Sequence, residues 1–216
     1  MSIASYTRAL IITEVRRQLQ ERYGEGALFQ TADIERWIDL ALVDISTKTR
    51  CLRTEASAYS SLGGQSYALP TDCLGSWAVT RFEYDGKRID SIPFDQLDNE
   101  FDQAAGKTRT SRGTPKYWVP YGTGFKLWPV PQVSAVMQIW YARVADSVSA
   151  DAVSLSSIGL SNAFGPAVED FVVRRGMMLQ GDQARADAME KVYEADLAAA
   201  AQKDMADVAP DVSRGS

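Results

Sequence analysis

The sequence contains no histidine in its 216 residues. Imidazole bases, proton shuttles and the commonest metal ligand go with it, which excludes histidine-dependent nucleophilic triads and most catalytic zinc sites. Cysteine is scarce as well. Cys51 and Cys73 are the only two, too far apart for a zinc knuckle and too few for a disulfide framework, so both are expected to be reduced, small hydrophobes. Long apolar runs are missing. The stretch Ala9 to Ile12 is followed at once by Glu14, Arg16 and Arg17, unlike a signal peptide, and no run approaches the roughly eighteen apolar residues that span a bilayer. A soluble protein made inside a cell, with no membrane partner, is the expectation. No glycine-rich phosphate loop is present, because neither the Gly63 nor the Gly122 turn leads from a strand into a helix with the required spacing. The net charge of -5 means that the whole molecule is no counterion for nucleic acid, so any such contact must be local.

What remains is ordinary globular material, 45% hydrophobic and 24% charged, enough for one compact domain or a small domain with an elaboration. Tyr6 to Tyr23 has Leu10, Ile11, Val15 and Leu19 near helical spacing, with Gly24 as a stop. Thr31 stands as an N-cap ahead of Asp33 and Glu35, and Ile34, Trp37, Ile38, Ala41, Leu42 and Ile45 give the apolar face of a second helix to about Lys48, completing a helical hairpin. From Arg53 to Arg143 the period changes. Seven short runs (56–60, 65–69, 77–84, 87–92, 117–120, 125–128 and 136–143) are separated by glycine and proline and predict antiparallel strands. Gly63 with Gly64, Asp85 with Gly86, and Gly122 to Gly124 have hairpin chemistry. Pro93 to Ala105 predicts a short helix, followed by a polar loop from Gly106 to Thr114. Pro166 suits a first helical turn, and Val168, Phe171, Val172 and Met177 to Leu179 give a buried helix ending at Gly181. Asp182 then caps a last helix rich in alanine and carboxylates. Beyond Asp204 the chain is polar and expected to lack structure in isolation.

Charge is segregated along the strand-rich middle. Glu83 to Asp102 holds seven acids against two bases, while Gln103 to Ala145 holds six bases and no acid. Acidic and basic faces of neighbouring identical subunits could meet in a ring, a basic loop could face a polyanion, or both could be solvated loops. Tyr117, Trp118, Tyr121, Phe125, Trp128, Trp140 and Tyr141 lie in adjacent predicted strands. They form either a stacking platform for sugars or bases or, more commonly, the core of a small sheet. The carboxylate pairs Glu169 with Asp170 and Asp95 with Asp98 fall on helix faces expected to be exposed, which argues against paired-acid hydrolysis. No catalytic residue, cofactor site or metal site is expected. The run Ala198 to Ala201 suits close packing against another helix.

The order of elements carries a resemblance. A helical pair containing TADIERWIDLALVDI is followed by YALPTDCLGSWAVTRFEYDGKRI, GTPKYWVPYGTGFKLWPVPQ and MQIWYARV, then by two helices around a Gly-Asp junction. Tyr67, Leu69, Pro70 and Asp72 form a Y-x-L-P-x-D element. Gly113, Pro115, Tyr117 and Trp118 form G-x-P-x-Y-W, and Leu127, Pro129 and Pro131 form L-x-P-x-P. Over roughly Tyr6 to Gln202 the chain resembles the head-tail adaptor, or connector, proteins of tailed bacteriophages. One departure is the serine- and alanine-rich stretch from Ser147 to Ser161, which lacks the leucine-proline lead-in expected before the third helix.

The resemblance implies an α+β fold, a helical bundle with an inserted antiparallel β domain: a helical hairpin over 1–52, the insertion over 53–146, C-terminal helices over 147–203 and an extended arm over 204–216. It implies a structural virion protein without cofactor, made in the bacterial host. Copies would form a ring, a dodecamer, between portal and tail or nozzle proteins, extending a channel for double-stranded DNA read without sequence specificity. On that expectation Lys107, Arg109 and Arg112 are candidates for the channel wall, and Val208, Pro210, Val212 and Arg214 for a portal-docking arm. Asp95, Asp98, Glu100 and Asp102, with Lys116 and Lys126, are candidates for inter-subunit ion pairs. A conduit must let DNA slide, so an acidic protein with few bases fits better than a basic one. The other readings are a carbohydrate-binding or peptidoglycan-acting module using Trp118, Trp128 and Trp140, and a tail-completion protein. Exposure of those three rings separates the first of these from an adaptor.

Overall fold

The computed structural model describes residues 6–23, 29–96, 111–147, 150 and 152–208. The helices are α1 (Arg8–Tyr23), α2 (Thr31–Thr49), α3 (Gly165–Leu179) and α4 (Gln183–Val208). The strands are β1 (Arg53–Tyr59), β2 (Ser66–Ala68), β3 (Val79–Tyr84), β4 (Lys87–Arg88), β5 (Asp90–Ser91), β6 (Arg112–Gly113), β7 (Tyr117–Tyr121), β8 (Gly124–Trp128), β9 (Val130–Pro131) and β10 (Val136–Ala142). The chain divides into two compact units, Met1–Leu52 with Val144–Ser216, and Arg53–Arg143.

In the helical unit α3 is the centre. Val168, Val172, Val173 and Met177 are fully buried, and α1, α2 and α4 each pack on this helix, while α1 and α2 meet each other only slightly. The two N-terminal helices are thus joined through α3 more than as a self-contained hairpin. Each large apolar side chain removed from water contributes about 1.5–3 kcal/mol, so a continuous core from Ile11 to Ala200 is what holds the two chain ends together. All six apolar residues expected on the inner face of α2 are buried. Its N-cap is Gln30 rather than Thr31: the Gln30 carbonyl accepts the Asp33 amide at 3.0 Å, and the Asp33 carboxylate accepts the Gln30 N–H at 3.3 Å. Thr31 is otherwise engaged, its hydroxyl accepting a hydrogen bond from Arg16.

The first helix begins at Arg8, two residues later than its periodicity suggests, because Tyr6 to Arg8 pair with the chain returning from the insertion. Leu155 N–H donates to the Tyr6 carbonyl at 3.0 Å and Arg8 N–H to that of Val153 at 3.1 Å. The serine-rich stretch before α3 forms two 3-10 turns, Leu155–Ile158 and Asn162–Phe164, whose caps are the hydroxyls of Ser154 and Ser161. Leu155, Leu160 and Phe164 are buried there, taking the place of the expected lead-in. Pro166 lies in the first turn of α3, and Asp182 caps α4 by accepting the Arg185 amide at 3.3 Å. The last helix continues past Asp204 to Val208. Its residues up to that point carry no helix breaker, and Pro210 is the first. Val208, expected on an extended arm, is therefore helical.

In the β unit one sheet has the order β1-β10-β3-β4 and the other β2-β8-β7-β5, with β6 and β9 as a separate pair. Phe82, Tyr84, Met137, Ile139 and Tyr141 of the first sheet share one core with Trp118, Phe125 and Leu127 of the second. Asp85 and Gly86, with φ of 52° and 69°, make the two-residue turn between β3 and β4, as a tight hairpin requires. Gly122 to Gly124 likewise turns β7 into β8. The Gly63–Gly64 segment is not a hairpin joint: β1 pairs with β10, and β2 with β8. The loop is held instead by Gly63 N–H on the Pro131 carbonyl, 2.9 Å, and by the Tyr67 hydroxyl on that of Gly64, 2.8 Å. Pairing is not wholly antiparallel either, since β5 runs parallel to β7 and β6 to β9. The expected strand 77–84 opens as a 3-10 turn at Ser76–Ala78, and the expected strand 87–92 is interrupted by Ile89, which is buried in the core. Residues 94–96 are helical. The remainder of the expected Pro93 to Ala105 helix, and most of the loop after it, lies outside the described residues.

The second sheet depends on one close approach. A Cβ at Gly124 would lie 2.2 Å from the Tyr67 carbonyl oxygen, and the obstacle is backbone, so β2 could not keep its pairing. Gly124→Ala is expected to destabilise the chain by about 2–3 kcal/mol. Gly86→Ala meets no neighbour within 4 Å and should cost only about 1 kcal/mol, for its left-handed backbone. Denaturant unfolding of the two variants checks the order, and equal losses would contradict the packing argument.

Candidate functional site

The three sequence elements that distinguish the β unit are fasteners. In Y-x-L-P-x-D, the Tyr67 hydroxyl closes the Gly64 loop, the Pro70 carbonyl accepts Cys73 N–H at 3.0 Å, and Asp72 accepts the Tyr141 hydroxyl at 2.8 Å. Burial, and then the Asp72 carboxylate, hold the Tyr141 phenol well above its ordinary pKa. The element thereby ties the crossover between the two sheets to β10. In G-x-P-x-Y-W, Pro115 is buried, Tyr117 stacks on Trp128 with ring centroids 6.1 Å apart, and Trp118 stacks on Phe82 at 5.8 Å. In L-x-P-x-P, Leu127 is fully buried and Pro131 holds the Gly63 amide. Cys51 and Cys73 are free thiols, each pushed above the usual cysteine pKa chiefly by burial, and so are poor nucleophiles.

The aromatic residues do not form a stacking platform. Trp118 is 5% exposed and Trp128 3%. Trp140 is half-buried, with the Arg81 guanidinium 4.9 Å from its ring centre, and Arg81 is in turn paired with Glu83. These rings offer no solvent-facing row to a sugar, and most of the cluster is the core of the sheets.

Of the charged candidates, Arg112, Lys116 and Asp95 are exposed. Lys126 is half-buried, its ammonium 3.8 Å from the centre of the Tyr121 ring and 5.9 Å from that of Phe94. The acidic and basic stretches adjoin in the second sheet: Asp90 lies opposite Tyr117, the neighbour of Lys116, and Phe94 sits beside Lys126. Lys107, Arg109, Asp98, Glu100, Asp102, Pro210, Val212 and Arg214 lie outside the described residues.

Two further features escaped sequence reasoning. Tyr59 and Val136 are opposite one another at the end of β1 and β10. With Leu62 and Val133 on the adjoining loops they leave four apolar side chains 76%, 38%, 66% and 55% exposed, respectively. Ser60 N–H on the Ala135 carbonyl and Ser134 Oγ on that of Ser60 hold the two loops together. Beside them, an open groove of about 410 Å³ runs between β1 and β2 over Phe125, Met137 and Ile139. Strand alternation could have suggested neither, because which edge stays unpaired is decided by topology.

The second feature is Asp170, read from sequence as an exposed helix residue. It is 8% exposed and faces Asp196 of α4. Burial first, then the Asp196 charge, push its pKa up to about 7. Glu169 is raised to about 7 by burial and by Glu14 and Asp170. A helix apolar almost all round buries its carboxylates too, and that was the available signal. The pair sits in a packed helix seam, not in a cleft open to substrate.

Among the described residues no cluster of three or more cysteines and carboxylates could hold a metal ion, and no helix is long and apolar enough to cross a membrane. No curated protein matches the chain. The model of one protein family, described as SU10 adaptor protein, matches residues 6–214, so it takes in the helical pair, the whole β insertion and both C-terminal helices. With the order of elements and the fastening motifs, this match places the chain in the SU10 adaptor protein family, as a structural head-tail adaptor of a bacteriophage virion.

Proposed function

We propose that the protein acts as one subunit of a closed ring, a dodecamer, seated between portal and tail and lining the passage for DNA. The observation that carries this reading is the family match over nearly the whole chain. A heterologous interface repeated around an axis closes into a ring when the rotation permits, and it needs two different complementary surfaces on each subunit. Opposite charges in the β unit suit that role. In this reading Asp95, Asp98, Glu100 and Asp102 of one copy face Lys116 and Lys126 of the next. Lys126 already lies over the Tyr121 ring of its own chain, so the exposed Lys116 is the stronger of the two bases for an external partner.

Pro210, Val212 and Arg214 make the portal contact in this reading. The α4 helix reaches Val208, directly before these residues in the sequence. Lys107, Arg109 and Arg112 are assigned to the DNA passage. Few bases on an acidic subunit would steer the duplex without holding it, because each phosphate neutralised adds to salt-dependent binding.

Two outcomes test the reading. Mixed with portal, the wild-type chain should give ring-sized particles, and Lys116→Glu should weaken their formation by roughly tenfold at low salt, with the difference shrinking as salt screens the contact. Native mass spectrometry across a salt series measures this. A Lys116→Glu chain that assembles like the wild type at every salt concentration would remove Lys116 from the interface. Removal of residues 209–216 should abolish portal binding while leaving the melting temperature within about 2 °C, since every described core residue is kept. Undiminished portal binding would refute the arm.

A further inference from the structure

The helical unit has an open groove of its own, between α2 and the C-terminal end of α3, of about 410 Å³. The buried Trp37 lines it together with Leu40, Met178 and Leu179, which are exposed, Leu179 to 62%. Arg36 of α2 and Arg175 of α3 line it as well. Both are exposed, and among the described residues neither enters an ion pair. Asp33 is the one carboxylate in the lining, and it accepts the Gln30 N–H at 3.3 Å. An apolar interior thus carries two bases and one acid. No residue of the chain's own α4 lines this groove.

The outer face of α4 has the opposite set. Met189, Tyr193, Leu197 and Ala200 are buried and fix its inward side, while Asp187, Lys191, Val192 and Glu194 are exposed, Val192 to 47%. On a helix of about 3.6 residues per turn, Asp187 and Glu194 share one edge two turns apart, with Lys191 between them. Gln183 donates to Asp187 at 2.7 Å, and among the described residues Glu194 enters no ion pair. Arg185 is paired with Asp182 at 3.4 Å. Two acids and one base face outward here, where the groove holds two bases and one acid. The remaining exposed positions along this face are mostly alanine, so a second helix axis can approach to about 8 Å.

We propose that the groove between α2 and α3 receives the outer face of α4 from a second copy of the chain. Val192 enters among Leu40, Met178 and Leu179, Asp187 and Glu194 face Arg36 and Arg175, and Lys191 faces Asp33. Charge complementarity selects the occupant, because every charge of the groove meets one of opposite sign. The apolar side chains that both surfaces leave in water are covered by the same contact. Groove and ridge are different surfaces of one subunit, so the contact is heterologous and repeats from copy to copy, as a closed ring requires. It names one contact of the ring proposed above and rests on that reading for its closure.

Charge reversal on both sides of the contact tests it, with ring assembly on portal followed by native mass spectrometry. Arg36→Glu with Arg175→Glu should raise the chain concentration needed for assembly about tenfold at low salt, and adding Asp187→Arg with Glu194→Arg to the same chain should restore it to within about twofold. All four side chains are exposed, so the fold is kept. A photo-crosslinker, p-benzoylphenylalanine in place of Leu179, gives a second readout in a mixture of isotopically light and heavy chains. Light-to-heavy crosslinks to the peptide containing Val192 are expected. Crosslinks to portal peptides instead, reversed chains that assemble like the wild type, or a fourfold variant no better than the double one would overturn the groove contact and leave the ring standing. A wild-type chain that gives no ring with portal overturns both.

Discussion

Arg53 lies opposite Ala142 in the antiparallel pairing of β1 with β10, so the inserted segment departs and returns at neighbouring points of its own sheet. Everything else in the architecture depends on that closure. An insertion whose ends lay far apart could not be accommodated between α2 and α3 while both remained in one helical core. The pairing is long and uninterrupted from Arg53 to Tyr59, and the element around Pro70 and Asp72 reinforces it by holding Tyr141. In the helical unit the corresponding contact is Ser46, a buried hydroxyl that donates to the Leu42 carbonyl at 2.6 Å and accepts Ala145 N–H at 3.2 Å. One small polar side chain thus satisfies the backbone of the returning chain where water cannot.

This division of labour suits a protein whose work is done by surfaces. The helical unit invests its apolar residues in one core around α3, and the β unit closes its own core between two sheets. Among the described residues, neither arrangement brings a nucleophile, a base and an oxyanion site together in a cleft. Among the described residues, the exposed groups include Tyr59, Leu62, Val133 and Val136 at one end of the first sheet and charges of both signs along the second. The absence of histidine fits that picture but did not create it. The stronger point is that the residues which mark the sequence, Tyr67, Asp72, Trp118 and Leu127, are engaged in holding the fold.

Much of the architecture was legible in the sequence because it rests on local rules. The inner face of α2, the Pro166 start of α3, the Asp182 cap and the Asp85–Gly86 turn follow from periodicity and backbone chemistry. The pairing of β1 with β10 was not legible. Gly63 and Gly64 offer a plausible hairpin, and only the need to close the insertion and layer two sheets sends β1 to the distant strand. Ser154 and Ser161 were unreadable for a different reason, since a serine in a loop and a serine capping a 3-10 turn look alike in one dimension. Asp170 failed by neighbourhood, because its burial depends on Asp196 and on how α4 docks. The signs of the middle segment were visible, but their adjacency in the second sheet was not, because it depends on the parallel pairing of β5 with β7.

Copies of this chain form the joint between head and tail. Cryo-electron microscopy of the intact virion, focused on that junction, tests it most directly. The expected result is a closed ring of copies against the portal, with the helical unit and the β unit recognisable in each subunit around one axis. Density for the chain elsewhere in the particle, or as isolated copies with no contact to their neighbours, would contradict it.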